Sequence, residues 1–204
     1  QSATEMPPFV STTSGSANLH IQTSVATQCE SGGTIITGPA ITSDYDNNPR
    51  FPNSGYPTGA VTPYGPDMGA DEFGGTPNDL TAPVIAYTPL APTNSTSART
   101  LTASITDGNG IPVAGQGLPM LYWKVNSGTY QGVQGTYVSG SNYTFTFGAG
   151  VVAGDVVSYY IAAQDMSAAV NVAVQPMVGA MGLTANPPAC STAPGTPSSY
   201  SIVM

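Results

Sequence analysis

Thr100-Leu101-Thr102-Ala103-Ser104-Ile105-Thr106 alternates apolar and hydroxyl-bearing side chains without a break. In an extended chain successive side chains point to opposite faces, so this run puts Leu, Ala and Ile on one face and Thr and Ser on the other. The same period of two recurs at Leu121, Trp123 and Val125, at Tyr143, Phe145 and Phe147, and at Val157, Tyr159, Ile161 and Ala163. Such alternation predicts half-buried antiparallel strands. Turn signals separate them: Asp107-Gly108-Asn109-Gly110, Asn126-Ser127-Gly128, Gly140-Ser141-Asn142 and Gly154-Asp155. With Pro83–Tyr87 and Ser199–Val203 added, residues 78–204 read as roughly seven short strands, the pattern of an antiparallel β-sandwich.

Working outward, residues 17–77 have a different rhythm. Short apolar runs (Leu19-His20-Ile21, Thr34-Ile35-Ile36, Ala40-Ile41) are separated by Gly and Pro, close to one short strand per turn of a solenoid. Asp44-Tyr45-Asp46-Asn47-Asn48-Pro49-Arg50 then gathers acid, amide and one cation, and residues 51–66 are a Pro- and Gly-rich loop. Residues 1–16 are Ser/Thr-rich with Met6, Phe9 and Val10 as apolar anchors, and Pro7-Pro8 forbids helix, so an extended arm is expected.

Charged residues make up 7% of the 204, with 3 Lys and Arg against 11 Asp and Glu and a net charge of −8. Three cations cannot neutralise a phosphate backbone, so nucleic-acid binding is excluded, and an anionic membrane surface is an unsuitable partner. No apolar run is long enough to predict membrane insertion. One His and two Cys exclude a His-rich or Cys-rich metal site.

Four segments of the first part carry a resemblance to a known architecture. Asn18-Leu19-His20-Ile21, Cys29-Glu30-Ser31-Gly32-Gly33 with Asp44–Arg50, and Pro66-Asp67-Met68-Gly69-Ala70-Asp71-Glu72-Phe73 resemble the closing segment of right-handed parallel β-helix proteins. That segment runs from a DxDGxxR stretch to PDIGADE. Thr81–Ile85, Arg99–Ala103, Leu121-Tyr122-Trp123-Lys124, Gly154–Tyr160 and Ala163-Gln164-Asp165 are similar to the immunoglobulin-like module that follows it in large secreted proteins of Bacteroidetes-type bacteria. The resemblance implies an all-β chain. It places an extended arm at 1–16, a parallel β-helix-like cap segment at 17–77 and an immunoglobulin-like sandwich at 78–204. It also implies export, extracellular or cell-surface residence and structural or adhesive work; separately, one cation beside the acids and no aromatic-lined groove lead to the expectation of no enzymatic activity.

Several residues then become candidates. Asp44, Asp46 and Asn48, at i, i+2 and i+4, with Asp67 from the facing segment, are candidate ligands of a structural Ca²⁺. The same region fits a second reading, in which Arg50 pairs with Asp71 or Glu72 and the Asp side chains close Asx turns. His20 lies between Leu19 and Ile21 with no nucleophile near it in sequence, and is expected to be structural. In an exported protein Cys29 and Cys190 form a candidate disulfide; each thiol is also a candidate small buried residue, or a link to another copy. Met6, Phe9 and Val10 in the arm and Tyr200, Ile202 and Val203 at the end are candidates for adding a strand to a neighbouring copy, making a homopolymer or adjacent modules the expected partners. The alternative is a carbohydrate- or surface-binding accessory module presenting Tyr87, Tyr122, Tyr130, Tyr137 and Tyr160 to glycans; a fragment of a β-helix polysaccharide lyase ranks below both.

Overall fold

The computed structural model describes residues 5–57 and 65–204. The protein is all-β, and the chain divides into two units, Gln1–Asp79 and Leu80–Met204. Part of the expected loop at 51–66 and the start of the arm lie outside the described residues.

The first unit has little regular structure: β1 (Phe9–Ser11), β2 (Asn18–Ile21), β3 (Ala26–Thr27) and β4 (Thr76–Pro77). Within the segment expected as an extended arm, Phe9–Ser11 is the first strand of an antiparallel hairpin, with Phe9 opposite Ile21. The reason is packing: Phe9 and Met68 lie against a small buried cluster of Ile21, Cys29 and Phe73. Among the described residues this unit forms no coils of a parallel β-helix. Its parallel pairing is confined to Ala26–Thr27 beside Thr76–Pro77. Single backbone bonds replace the ladders, such as Gly33 N–H to the Pro66 carbonyl at 2.7 Å and Met68 N–H to Cys29 at 2.8 Å. Of the apolar runs predicted as solenoid strands, Leu19-His20-Ile21 lies in β2 and sends Ile21 into the buried cluster, whereas Ile35, Ile36 and Ile41 are all exposed. With so few apolar side chains inside, Thr27, Glu30, Asp67 and Glu72 are buried among them.

The second unit is a β-sandwich. Its strands are β5 (Val84–Ala86), β6 (Arg99–Thr106), β7 (Met120–Val125), β8 (Gln131–Gln134), β9 (Thr136–Ser139), β10 (Asn142–Phe147), β11 (Val156–Gln164), β12 (Val172–Gln175), β13 (Met181–Thr184), β14 (Ala189–Thr192) and β15 (Ser198–Ser201). One sheet runs β5-β6-β10-β9 and the other β12-β11-β7-β8. The long β11 organises the second sheet: β7 pairs along one edge, while β15 takes its first half and β12 its second half on the other. Every alternating run quoted from the sequence becomes a strand whose apolar face is buried: Leu101, Ala103 and Ile105, then Leu121 and Trp123, then Tyr143, Phe145 and Phe147, then Val157, Tyr159, Ile161 and Ala163. Phe147 sits amid the rings of Trp123, Tyr159 and Tyr200, with centroids 6.1, 5.1 and 6.2 Å away. Burying a phenylalanine side chain stabilises by about 1.5–3 kcal/mol.

β11 departs from simple alternation, because Tyr160 and Ala162, on its other face, are also buried. They form a second cluster with Val174, against which Tyr122, Tyr130, Ala180, Cys190 and Ala193 pack. The hairpin of β13 and β14 supplies that cover. A strand covered on both faces reads as nearly continuous apolar sequence, and Tyr159-Tyr160-Ile161-Ala162-Ala163 does so.

Candidate functional site

The acidic segments of the first unit, from residue 44 to residue 75, hold most of the candidates. Asp44 begins a tight turn. Its Oδ1 accepts the amides of Asp46 (2.9 Å) and Asn48 (2.7 Å), and its Oδ2 accepts the Asn48 side-chain amide and the Glu72 backbone amide, both at 3.1 Å. Burial works against its ionisation, but the Asn48 side chain and the Glu72, Asn48 and Asp46 amides outweigh that and hold its pKa below the ordinary value. Asp67 is buried and accepts Ser31 N–H at 2.6 Å and Phe73 N–H at 2.7 Å. Its pKa is pushed up to about 7, chiefly by desolvation; the two amides pull it down, and the Glu30 and Glu72 charges push it further up.

The predicted Ca²⁺ set does not converge. Asp44 and Asp67 turn their oxygens to different backbone amides, Asn48 points an N–H at Asp44, and the Asp46 carboxylate faces His20 at 3.6 Å. The i, i+2, i+4 spacing closes an Asx-type turn, in which Asp44 Oδ1 accepts the amides of Asp46 and Asn48.

Arg50 realises one of its two expected pairings. Its Nε lies 3.1 Å from Glu72 Oε2, while Nη1 donates to the Gly69 carbonyl (2.8 Å) and Nη2 to the Asp67 carbonyl (2.5 Å). One guanidinium thus grips the whole 67–72 turn. Glu72 is buried and also accepts Phe51 N–H at 3.2 Å and Asp67 N–H at 3.3 Å. Glu30 closes the next turn by accepting Gly75 N–H at 2.6 Å. Gly75 is required there: a Cβ would lie 2.7 Å from the Phe73 ring and 2.9 Å from the Glu30 carboxylate.

Asp71, the other expected partner of Arg50, instead meets His20. His20 Nδ1 is 3.1 Å from Asp71 Oδ2, and the ligating atoms of His20, Asp46 and Asp71 all lie within 4.8 Å of one another. The hydrogen bond and charge of Asp71 raise the His20 pKa, more than desolvation lowers it. Sequence reasoning missed this pairing. His20 and Asp71 are 51 positions apart, and only the outward alternation of His20 between its neighbours hinted at an accessible imidazole. A metal held there would use this imidazole and two carboxylates, a donor set of borderline softness unlike the all-oxygen set predicted.

The remaining candidates are placed as follows. Cys29 and Cys190 are free thiols rather than a disulfide. Each is engaged within its own unit, Cys29 in the cluster with Ile21 and Phe73, and Cys190 against the Tyr160 cluster. Tyr200 and Ile202 are 2% exposed and belong to the sandwich core, and β15 pairs with β11 along one edge while Thr93 bonds Ser201 and Val203 on the other. Phe9 is likewise engaged in its own hairpin; Met6, Val10 and Val203 are exposed. The tyrosines do not form one exposed strip. Tyr87 packs on the main core, Tyr122 and Tyr130 flank the buried Tyr160, and Tyr137 stands at a sheet edge against Tyr143.

What defines the molecule is therefore two units, one a β-sandwich and one of mostly irregular chain held by carboxylates in its loops. No protein-family model matches the chain, and a search of curated proteins returns no match.

Proposed function

We propose that the chain is an extracellular structural or adhesive module, a segment of a cell-surface fibre or stalk, with an immunoglobulin-like sandwich behind a cap related to the closing segment of a β-helix. The observation that carries this reading is how the acids are used. Glu5, Glu30, Asp44, Asp67, Glu72, Asp107, Asp155 and Asp165 each accept at least one backbone amide. They are eight of the 11 acidic residues in the chain. Carboxylates committed to loop amides hold shape and leave little for general acid–base work. The scarcity of Lys and Arg, 3 in 204 residues, supports exposure outside a cell, since trypsin-like proteases find few sites.

The test is electron microscopy of the native material with a parallel assay of turnover on acidic polysaccharides, with and without Ca²⁺. Fibres or stalks without turnover are expected. Isolated particles that cleave a polysaccharide would overturn the reading in favour of an enzyme, and saturable glycan binding by isolated particles would overturn it in favour of an accessory binding domain.

A further inference from the structure

Asp46 and Asp71 stand apart from the eight acids that hold backbone amides. Their carboxylates turn to His20 instead, whose Nδ1 lies 3.6 Å from Asp46 Oδ2 and 3.1 Å from Asp71 Oδ2. The three residues come from three segments of the first unit: β2, the turn closed by Asp44, and the turn gripped by Arg50. The two turns are laced together beside both acids. Tyr45 N–H donates to the Ala70 carbonyl at 2.8 Å, and Glu72 N–H donates to Asp44 Oδ2 at 3.1 Å. The backbones that carry Asp46 and Asp71 are therefore held in place by the fold itself. His20 alternates with Ile21, which is buried with Cys29 and Phe73, so the imidazole stands on the opposite face of β2, toward the turns.

We propose that His20 Nδ1 and the Asp46 and Asp71 carboxylates bind one divalent transition-metal ion of the Zn²⁺ type. Distance supports it first. Donors about 2.0–2.2 Å from a tetrahedral ion sit roughly 3.3–3.6 Å from one another. The imidazole lies at 3.1 and 3.6 Å from the two carboxylates, and all three donor atoms fall within 4.8 Å of each other. Rotation of the exposed Asp46 side chain supplies whatever closing remains. Charge is the second support. Arg50 is the one Lys or Arg among residues 1–79, and it is committed to Glu72 and the 67–72 turn. A dication neutralises both carboxylates, which no second Lys or Arg of this unit can do. Donor type is the third: an imidazole beside two carboxylates suits Zn²⁺ and its first-row neighbours, whereas Ca²⁺ seeks six or more oxygens. The ring then binds through Nδ1 as the neutral tautomer with its proton on Nε2. The ion ties β2 to both turns, a cross-link in a unit with little regular structure, and takes its remaining ligand from solvent.

The test follows the His20 ring by proton–nitrogen NMR in the full chain as Zn²⁺ is added. His20 is the chain's one histidine, so its signals identify themselves and binding at either thiol does not enter the readout. A saturable shift at one ion per chain is expected, with Nδ1 as the coordinated nitrogen. Asp46→Asn and Asp71→Asn should each weaken the binding at least about tenfold, the loss that removing even an indirect support of a metal site brings. Ca²⁺ at the same concentration should leave the ring signals where they were. Hydrogen exchange in peptides covering residues 18–21, 41–57 and 65–78 should slow with Zn²⁺ in the wild type and not in His20→Gln, because an ion that binds the folded form alone stabilises it. Asp46→Asn alters an exposed side chain, so the comparison stands should Asp71→Asn disturb its turn. A ring unmoved by Zn²⁺, coordination through Nε2, or equal affinity in the two Asn variants, the behaviour of a lone surface imidazole, would overturn the site. A ring that moves equally with Ca²⁺ would overturn the choice of metal, and unchanged exchange with the ring shifted would overturn the cross-link.

Discussion

Arg50→Ala removes the guanidinium that ties the 67–72 turn together. Its side chain is 12% exposed and that of its partner Glu72 1%. The substitution leaves the Glu72 charge inside without its cation and strips donors from the Gly69 and Asp67 carbonyls. Breaking a buried ion pair from one side costs about 3–5 kcal/mol. Glu72 keeps two backbone donors, from Phe51 and Asp67, so the lower end, about 3 kcal/mol, is expected. A unit of the size of Gln1–Asp79 holds roughly 4–12 kcal/mol in total, so between about a quarter and three quarters of the margin goes, with a fall in melting temperature of about 12–24 °C. The sole tryptophan, Trp123, belongs to the other unit and does not report the change. The assay is therefore hydrogen exchange read by mass spectrometry on peptides covering residues 41–57 and 65–78. Adding Glu72→Gln to Arg50→Ala should restore part of the loss, because it removes the stranded charge. Protection in those peptides that shifts by less than about 0.5 kcal/mol, the level of an ordinary surface change, would refute the reasoning.

Two further outcomes follow from the same structure. Asp67 has a folded pKa pushed up to about 7, above its unfolded value, so the stability it contributes is complete below about pH 4 and is lost as pH rises toward 7. Denaturant titrations of the first unit should show a fall of roughly 2–4 kcal/mol over that window, flattened in Asp67→Asn. A pH-independent wild type would contradict it. Asp44 acts in the opposite sense: its pKa is lowered, so its contribution fades as pH drops through its folded pKa. The thiols offer a simpler check. Cys190 is partly exposed and Cys29 buried, so a thiol reagent should modify Cys190 in the native state and Cys29 after unfolding, with no electrophoretic shift on reduction. A shift on reduction would contradict the two free thiols.

Local alternation was enough to place the sandwich strands β6, β7, β10 and β11, because each contains its own contrast between a core face and a solvent face. The strands it left unread are β8, β9, β12, β13 and β14. Gln131-Gly132-Val133-Gln134 and Met181-Gly182-Leu183-Thr184 bury too little to need a two-residue period, so nothing local marks them.

In the first unit, residue type alone established that the acids would be near one another and that Arg50 needed a carboxylate. Which carboxylate, and which amides the others would hold, was decided by the tertiary structure. Asp71 and Glu72 are neighbours in sequence, but their side chains turn to different partners, one to His20 and one to Arg50. Loop polar groups take the nearest donor that folding brings to them, and alongside local amides those donors include groups tens of residues away, such as Glu72 N–H on Asp44 and Gly75 N–H on Glu30. A periodic pattern carries its own geometry along the chain, whereas a carboxylate carries only a demand for partners and is satisfied by whichever segment packs against it.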